Sequence, residues 1–180
     1  MKEIVTDRLV IRRWKMDDAE DMFLYAKDPD VGPRAGWPYH KTIDETKEIL
    51  KSFVLDRKPY CFAICLKETL KPIGCIELME KTDVTENDDE LELGYWMGKP
   101  YWNKGYMTEA SKAVLAYGFN ELKANVIWCG YYEGNLQSKR VQEKLGFEFR
   151  YKKDLHLSLL DKDVVGYTNK LTKEKWQLQK

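Results

Sequence analysis

The sequence predicts an α/β fold: a mixed, mostly antiparallel sheet flanked by helices. Three observations carry that reading. Residues 59–67 and 71–80 are strand-like runs split only by a short turn around Glu68–Lys71, as in an antiparallel hairpin. Residues 90–97, 106–122 and 125–132 form a strand–helix–strand unit, and such a unit beside a hairpin implies a mixed sheet covered by helices. There is no internal repeat, low-complexity tract or flexible linker, so one domain spanning 1–180 is expected.

The elements follow in order. DRLVIRRW, residues 7–14, alternates apolar and polar positions and reads as a strand. Asp17 and Glu20 have the spacing of a capping box opening a helix through about Lys27. Residues 28–40, DPDVGPRAGWPYH, are rich in Pro and Gly and read as a loop. Thr42 and Glu45 make a second capping box before an amphipathic helix carrying Ile43, Ile49, Leu50 and Phe53. After the hairpin, the acidic stretch Asp83–Glu90 reads as a solvated loop before the strand 90–97. The helix 106–122 places Ala110, Ala113, Val114 and Tyr117 on one face. A strand at 125–132 leads to a helix at 135–145, which Gly146 and Phe147 terminate as a Schellman motif would. Two further strands are expected at 147–160 and 163–171, and the chain closes at KLTKEKW.

Composition narrows the function. The 180 residues suffice for a substantial core. Thirty basic residues cancel thirty acidic ones, which lacks the electrostatic footprint of a dedicated nucleic-acid binder. No apolar run approaches the roughly 18 residues of a membrane span, and the opening MKEIVTDRLVIRRW has no signal-peptide core. A cytoplasmic protein is expected, with neither nucleic acid nor membrane as partner. Cys61, Cys65, Cys75 and Cys129 lie in apolar strand-like segments without metal-ligand spacing, so buried reduced thiols and no metal are expected.

The segment that carries chemistry is ELELGYWMGKPYWNKGYMTEA, residues 90–110. It is a strand, a loop with Gly98 and Gly105, and a helix start. The free N–H groups of a helix N-terminus form an anion site, and Lys99 and Lys104 flank this one, which suits a phosphate-bearing ligand. A lone strand–Gly–helix is also what a simple turn at Gly105 would produce.

A second motif follows downstream, and a family resemblance rests on the two together. Tyr101-Trp102-Asn103-Lys104-Gly105-Tyr106-Met107-Thr108-Glu109-Ala110 is followed by Asn135-Leu136-Gln137-Ser138 and then Lys144-Leu145-Gly146-Phe147. Together they resemble the pyrophosphate loop and the Asn-x-x-Ala/Ser…Gly-Phe motif of the GNAT superfamily, in its branch of ribosomal-protein N-terminal acetyltransferases. The likeness extends to DRLVIRRW, the GWP loop and the terminal LTKEKW. Trp102, Asn103 and Met107 depart from the superfamily consensus, and Gln142 stands where many members have a Tyr general acid.

The resemblance implies acetyl-CoA as cosubstrate and a primary amine as acceptor. It implies that strands 90–97 and 125–132 splay apart to admit pantetheine, which pairs with backbone near Tyr95, Trp96, Met97 and Gly98. Asn103, Lys104, Gly105, Tyr106, Met107 and Thr108 would hold the pyrophosphate, with Asn135, Ser138 and Lys144 contacting the cofactor from the next helix. Ser138 is the candidate to protonate the leaving thiolate, and Glu92 and His156 are the candidates for the base. Each has a plainer reading, Asn135 as a helix cap and His156 as a partnered strand histidine. Trp37, Tyr39 and His40 suit either a substrate wall or simple packing. With no strong base evident on 125–132, a low-pKa amine such as a protein N-terminus is expected. A small amine (polyamine or antibiotic), or a non-catalytic acyl-CoA-binding role, are the alternatives. A homodimer is plausible.

Overall fold

The computed structural model describes residues 3–55 and 58–179. Eight strands, β1 (Ile4–Val5), β2 (Leu9–Arg13), β3 (Cys61–Leu66), β4 (Pro72–Met79), β5 (Glu90–Met97), β6 (Val126–Tyr132), β7 (Glu148–Leu157) and β8 (Lys162–Thr172), form one sheet in the order β1-β2-β3-β4-β5-β6-β8-β7. Every neighbouring pair is antiparallel except β5–β6. That parallel pair is joined by α3 (Tyr106–Asn120). The hairpin and the strand–helix–strand unit are therefore as expected.

Helices cover both faces. α1 (Ala19–Ala26) and α2 (Ile43–Val54) pack their Met22 and Leu50 onto Cys61, Ala63, Cys65 and Cys75. On the opposite face lie α3, α4 (Leu136–Lys144) and α5 (Lys173–Gln177), packed around Phe62, Ile64, Ile76, Phe119 and Trp176. Phe119 and Trp176 stack at 5.0 Å. All four cysteines are buried free thiols, and burial pushes Cys65 up to about 12, which keeps it inert. β1 and α5 are additions to the expected elements. α5 is capped by Thr172, whose hydroxyl accepts from Lys175 N–H.

Two local expectations need correction. β2 does not alternate in burial: Leu9, Val10, Ile11 and Arg12 are all buried, because helices cover both faces of the sheet there. Arg12 survives burial by a bidentate pair with Asp18, both contacts 2.8 Å. The first helix also starts differently. Asp18, not Asp17, closes the turn by accepting Lys15 N–H at 2.8 Å, and a short 3-10 turn at Met16–Asp18 precedes α1. The Thr42 cap forms, with Glu45 N–H donating to Thr42 Oγ1 at 3.1 Å. Its reciprocal arm is displaced, since the Glu45 carboxylate accepts from Lys41 N–H.

Candidate active site

β5 and β6 pair at only three positions, Glu90↔Val126, Leu91↔Ile127 and Glu92↔Trp128. Trp128 Nε1 donates to Glu90 Oε2 at 2.7 Å and fastens that closed end. Beyond it β5 stays with β4 to Met97 while β6 follows β8 to Tyr132, and the pair splays. The Gly98 N–H donates to Ile73 O on β4. Bonding residues alternate along an antiparallel ladder, so the N–H and C=O groups of Leu93, Tyr95 and Met97 face the gap rather than β4. The Met97 carbonyl is taken by the Trp102 indole at 2.6 Å. The remaining gap-facing groups are the kind of backbone edge that an extended, amide-bearing ligand satisfies. A cleft of about 1280 Å³ runs through the gap.

One end of the cleft is an uncapped helix N-terminus. Asn103 and Gly105 take left-handed φ values of 60° and 81°, which turn the chain into α3. Asn is among the few residues that tolerate this, which explains its place here in lieu of Gly. No side chain caps α3, so the first-turn N–H groups of Tyr106, Met107 and Thr108 are open, and all three residues line the cleft. Arg8 braces the loop: Nη1 donates to the Lys104 carbonyl at 3.0 Å, Nε meets Glu109 Oε2 at 2.7 Å, and the guanidinium lies 4.3 Å over Tyr106. It also brings a positive charge to the same end. Lys104 lies 5.9 Å over the Tyr101 ring and is not part of the cleft wall. Gly98 serves packing, because a Cβ there would lie 2.6 Å from the Tyr25 ring.

The second motif delivers a hydrogen-bonded chain. Asn135 Oδ1 caps α4 by accepting Ser138 N–H at 3.2 Å, and its Nδ2 donates to the Arg34 carbonyl at 3.3 Å. At the other end of α4, Phe147 N–H reaches Gln142 O and Gly146 N–H reaches Glu143 O, both 3.1 Å, completing the Schellman motif. Tyr95, from the opposite arm of the splay, places its hydroxyl 2.9 Å from Ser138 Oγ. Gln142 Nε2 donates to Ser138 Oγ at 3.2 Å and to Gly130 O at 2.9 Å, while its Oε1 accepts from Asn169 at 2.6 Å. Burial holds the Tyr95 phenol well above its ordinary pKa, so it stays neutral. Lys144, the last residue of α4, lines the outer cleft.

Strand alternation sends Glu92, Gly94 and Trp96 to the other face, opposite Tyr95. Glu92 lies where the splay opens. Burial raises its pKa, with Asp83 and Glu77 adding to the rise and a Thr82 hydrogen bond and Lys153 opposing it. Lys58 pairs with Glu77 at 3.0 Å and Lys153 with Asp83 at 2.8 Å, whereas Glu92 has no ion-pair partner among the described residues. The wall is aromatic. Trp37 meets Trp96 edge-on at 5.7 Å and His40 at 5.2 Å. His40 Nδ1 is 2.7 Å from Thr46 Oγ1, and burial lowers its pKa. The 28–40 loop touches both arms, Trp37 on β5 and Gly36 against the Tyr132 hydroxyl of β6.

The sequence-expected residues thus divide. Gly105, Tyr106, Met107, Thr108, Asn135, Ser138, Glu92, Trp37 and His40 converge on the cleft. Trp96 does so from the face opposite Tyr95. Tyr39 is exposed and does not line the cleft. His156 is held at the β7–β8 end of the cleft, its Nδ1 2.8 Å from Asp163, its cross-strand partner. Sequence reasoning missed Arg8, the Tyr95 side chain, Gln142 as a network member, and Asn169. Only the strand periodicity around Tyr95 held a signal, since it puts Tyr95 and Glu92 on opposite faces.

The sheet thus splits five strands to three about a splayed parallel pair, with an open helix N-terminus at its end. The acetyltransferase (GNAT) domain family matches residues 8–148, and the chain belongs to that family of N-acetyltransferases. It is similar to the uncharacterized N-acetyltransferase YnaD of Bacillus subtilis, 31% identical, with 79% of this chain and 81% of that one covered. A GNAT-family acetyltransferase structure from Bacillus anthracis matches with a TM-score of 0.84 at 25% identity, over 96% of this chain and 99% of that one. The ribosomal-protein-S5-alanine acetyltransferase structure from Vibrio fischeri matches with a TM-score of 0.75 at 19% identity, covering 98% and 99%, a likeness of fold. Among the described residues no helix is long and apolar enough to cross a membrane.

Proposed function

We propose that the protein acts in the cytoplasm and transfers acetyl from acetyl-CoA to the α-amine of a protein or peptide N-terminus, by direct attack in a ternary complex. The family generally uses acetyl-CoA, and the residues here fit it. The α3 N-terminus offers N–H groups for the pyrophosphate, and the β5 edge offers them for the pantetheine amides. The cosubstrate supplies an activated acetyl thioester. A gap-facing N–H of β5 polarises the carbonyl, worth about 10²–10³ in rate for a preorganised donor. Glu92 receives the proton shed by the amine, and Ser138 steadies the leaving sulfur.

The state of Glu92 carries the choice of acceptor. A polyamine calls for several unneutralised carboxylates; of the four that line the cleft, Glu77 and Asp83 are each paired with a lysine and Glu45 accepts the Lys41 N–H, which leaves Glu92, where the splay opens, for a single amine. Freeing an α-amine of pKa about 7.7–8.0 at pH 7 costs roughly 1–1.4 kcal/mol, against about 4.6 for a lysine side chain. Glu92 alone is better matched to the smaller cost. The fold likeness to a ribosomal-protein acetyltransferase points the same way.

Calorimetry with acetyl-CoA, followed by thiol release with a panel of peptide N-termini and polyamines, tests this. Saturable binding lost in Gly105→Glu, with peptides acetylated faster than polyamines or lysine side chains, is the expected result. Binding without thiol release from any amine would establish the non-catalytic alternative.

A further inference from the structure

Tyr95 sits on β5 and Ser138 on α4, the helix that follows β6, yet their hydroxyl oxygens are 2.9 Å apart. Gly130 O and Asn169 Nδ2 fix the Gln142 amide: its Nε2 must face the carbonyl, so that same nitrogen also donates to Ser138 Oγ. A serine hydroxyl has two lone pairs and one hydrogen. Gln142 fills one lone pair. The phenol, the stronger donor of the two hydroxyls, lies 2.9 Å from that oxygen and 3.4 Å from the Ser138 carbonyl, and on the shorter approach it fills the other lone pair.

We infer that Tyr95 is a positioning residue: its phenol and the Gln142 amide together occupy the Ser138 oxygen and leave the Ser138 O–H free to donate into the cleft, to the sulfur of the departing thiol. This rests on the acetyl-transfer reading. As the N–C bond forms and the C–S bond breaks, the electron pair passes to sulfur, which the Ser138 O–H hydrogen-bonds as a thiolate. The proton of the amine leaves through Glu92 to solvent. Tyr95 and Ser138 lose no proton, consistent with a buried phenol that stays neutral. Two donors polarising one acceptor strengthen the hydrogen bond it donates in turn. The residue that replaces a Tyr at 142 is thereby part of the device, and the phenol enters from β5.

Binding of free CoA reads this directly. A donor aimed at the sulfur favours bound thiolate, so CoA affinity should rise with pH through the thiol pKa, near 8.5 by analogy with Cys. Affinity for the analogue with hydrogen in place of the thiol should not. Tyr95→Phe and Ser138→Ala are each expected to weaken CoA binding at pH 9 by about tenfold while changing the desulfo analogue less than twofold. Both should lower kcat by about 10–100-fold, with the double variant no worse than either single. If Tyr95→Phe does not fold, a fluorinated tyrosine at position 95 keeps the shape and makes the phenol more acidic. An altered kcat and thiolate affinity then support the role. A working wild type whose CoA affinity, in either position-95 variant, keeps its pH dependence unchanged overturns the inference alone. A wild type that releases no thiol with any amine overturns it together with the functional reading.

Discussion

At the scale of single residues, Glu92 shows a conflict between stability and use. Its environment disfavours the carboxylate, chiefly by burial, with Asp83 and Glu77 adding to it. As a base it must be ionised, so kcat/KM should fall as pH drops through a pKa above the usual carboxylate range. Glu92→Gln is expected to lower kcat by about 10²-fold and to remove that acid limb, read from a pH–rate profile. The sign for stability is opposite. A folded-state pKa raised above the unfolded value gives stabilisation that is complete below the unfolded pKa and is lost as pH rises through the folded one. The wild type therefore carries its penalty at neutral pH, and Glu92→Gln should melt higher there. Thermal melts at pH 4 and pH 8 check this, the gap between the two proteins widening at the higher pH.

Among the elements, what could be read from the chain was what local chemistry decides. The 90–97 strand, the α4 terminator and the Thr42 cap all follow from residues within a few positions of each other. Thr42→Ala should cost about 0.5–2 kcal/mol, since it orphans the Glu45 N–H, and denaturant unfolding would measure it. Burial of Arg12 escaped the alternation rule, because whether a polar strand position meets solvent depends on which helices return to cover it. Asp17 and Asp18 are adjacent acids with equal claim to the cap, and only the partnership with Arg12 selects Asp18. The site divides in the same way. The turn into α3 and the Asn135 cap are legible because each is a matter of local backbone geometry. The Arg8–Glu109 brace spans 101 positions and the Asn169–Gln142 bond spans 27, and no local pattern announces either.

For the molecule as a whole, the backbone edge left by the splay couples folding to ligand. Acetyl-CoA at a hundredfold excess over its dissociation constant should add about 2.7 kcal/mol to the stability. For a chain of this size that is roughly 5–11 °C in melting temperature. A thermal scan of the wild type beside Gly105→Glu would check it, with no shift expected in the variant. The three residue pairs that close β5 onto β6 also bear on how the sheet responds to load. Most sheets are strongest at the centre and fray at their margins. In this one a seam of only three pairs lies inside, between the fifth and sixth of eight strands, shorter than every other but the β1–β2 margin, and a force drawing the two blocks apart would part it there while each block kept its own ladders whole.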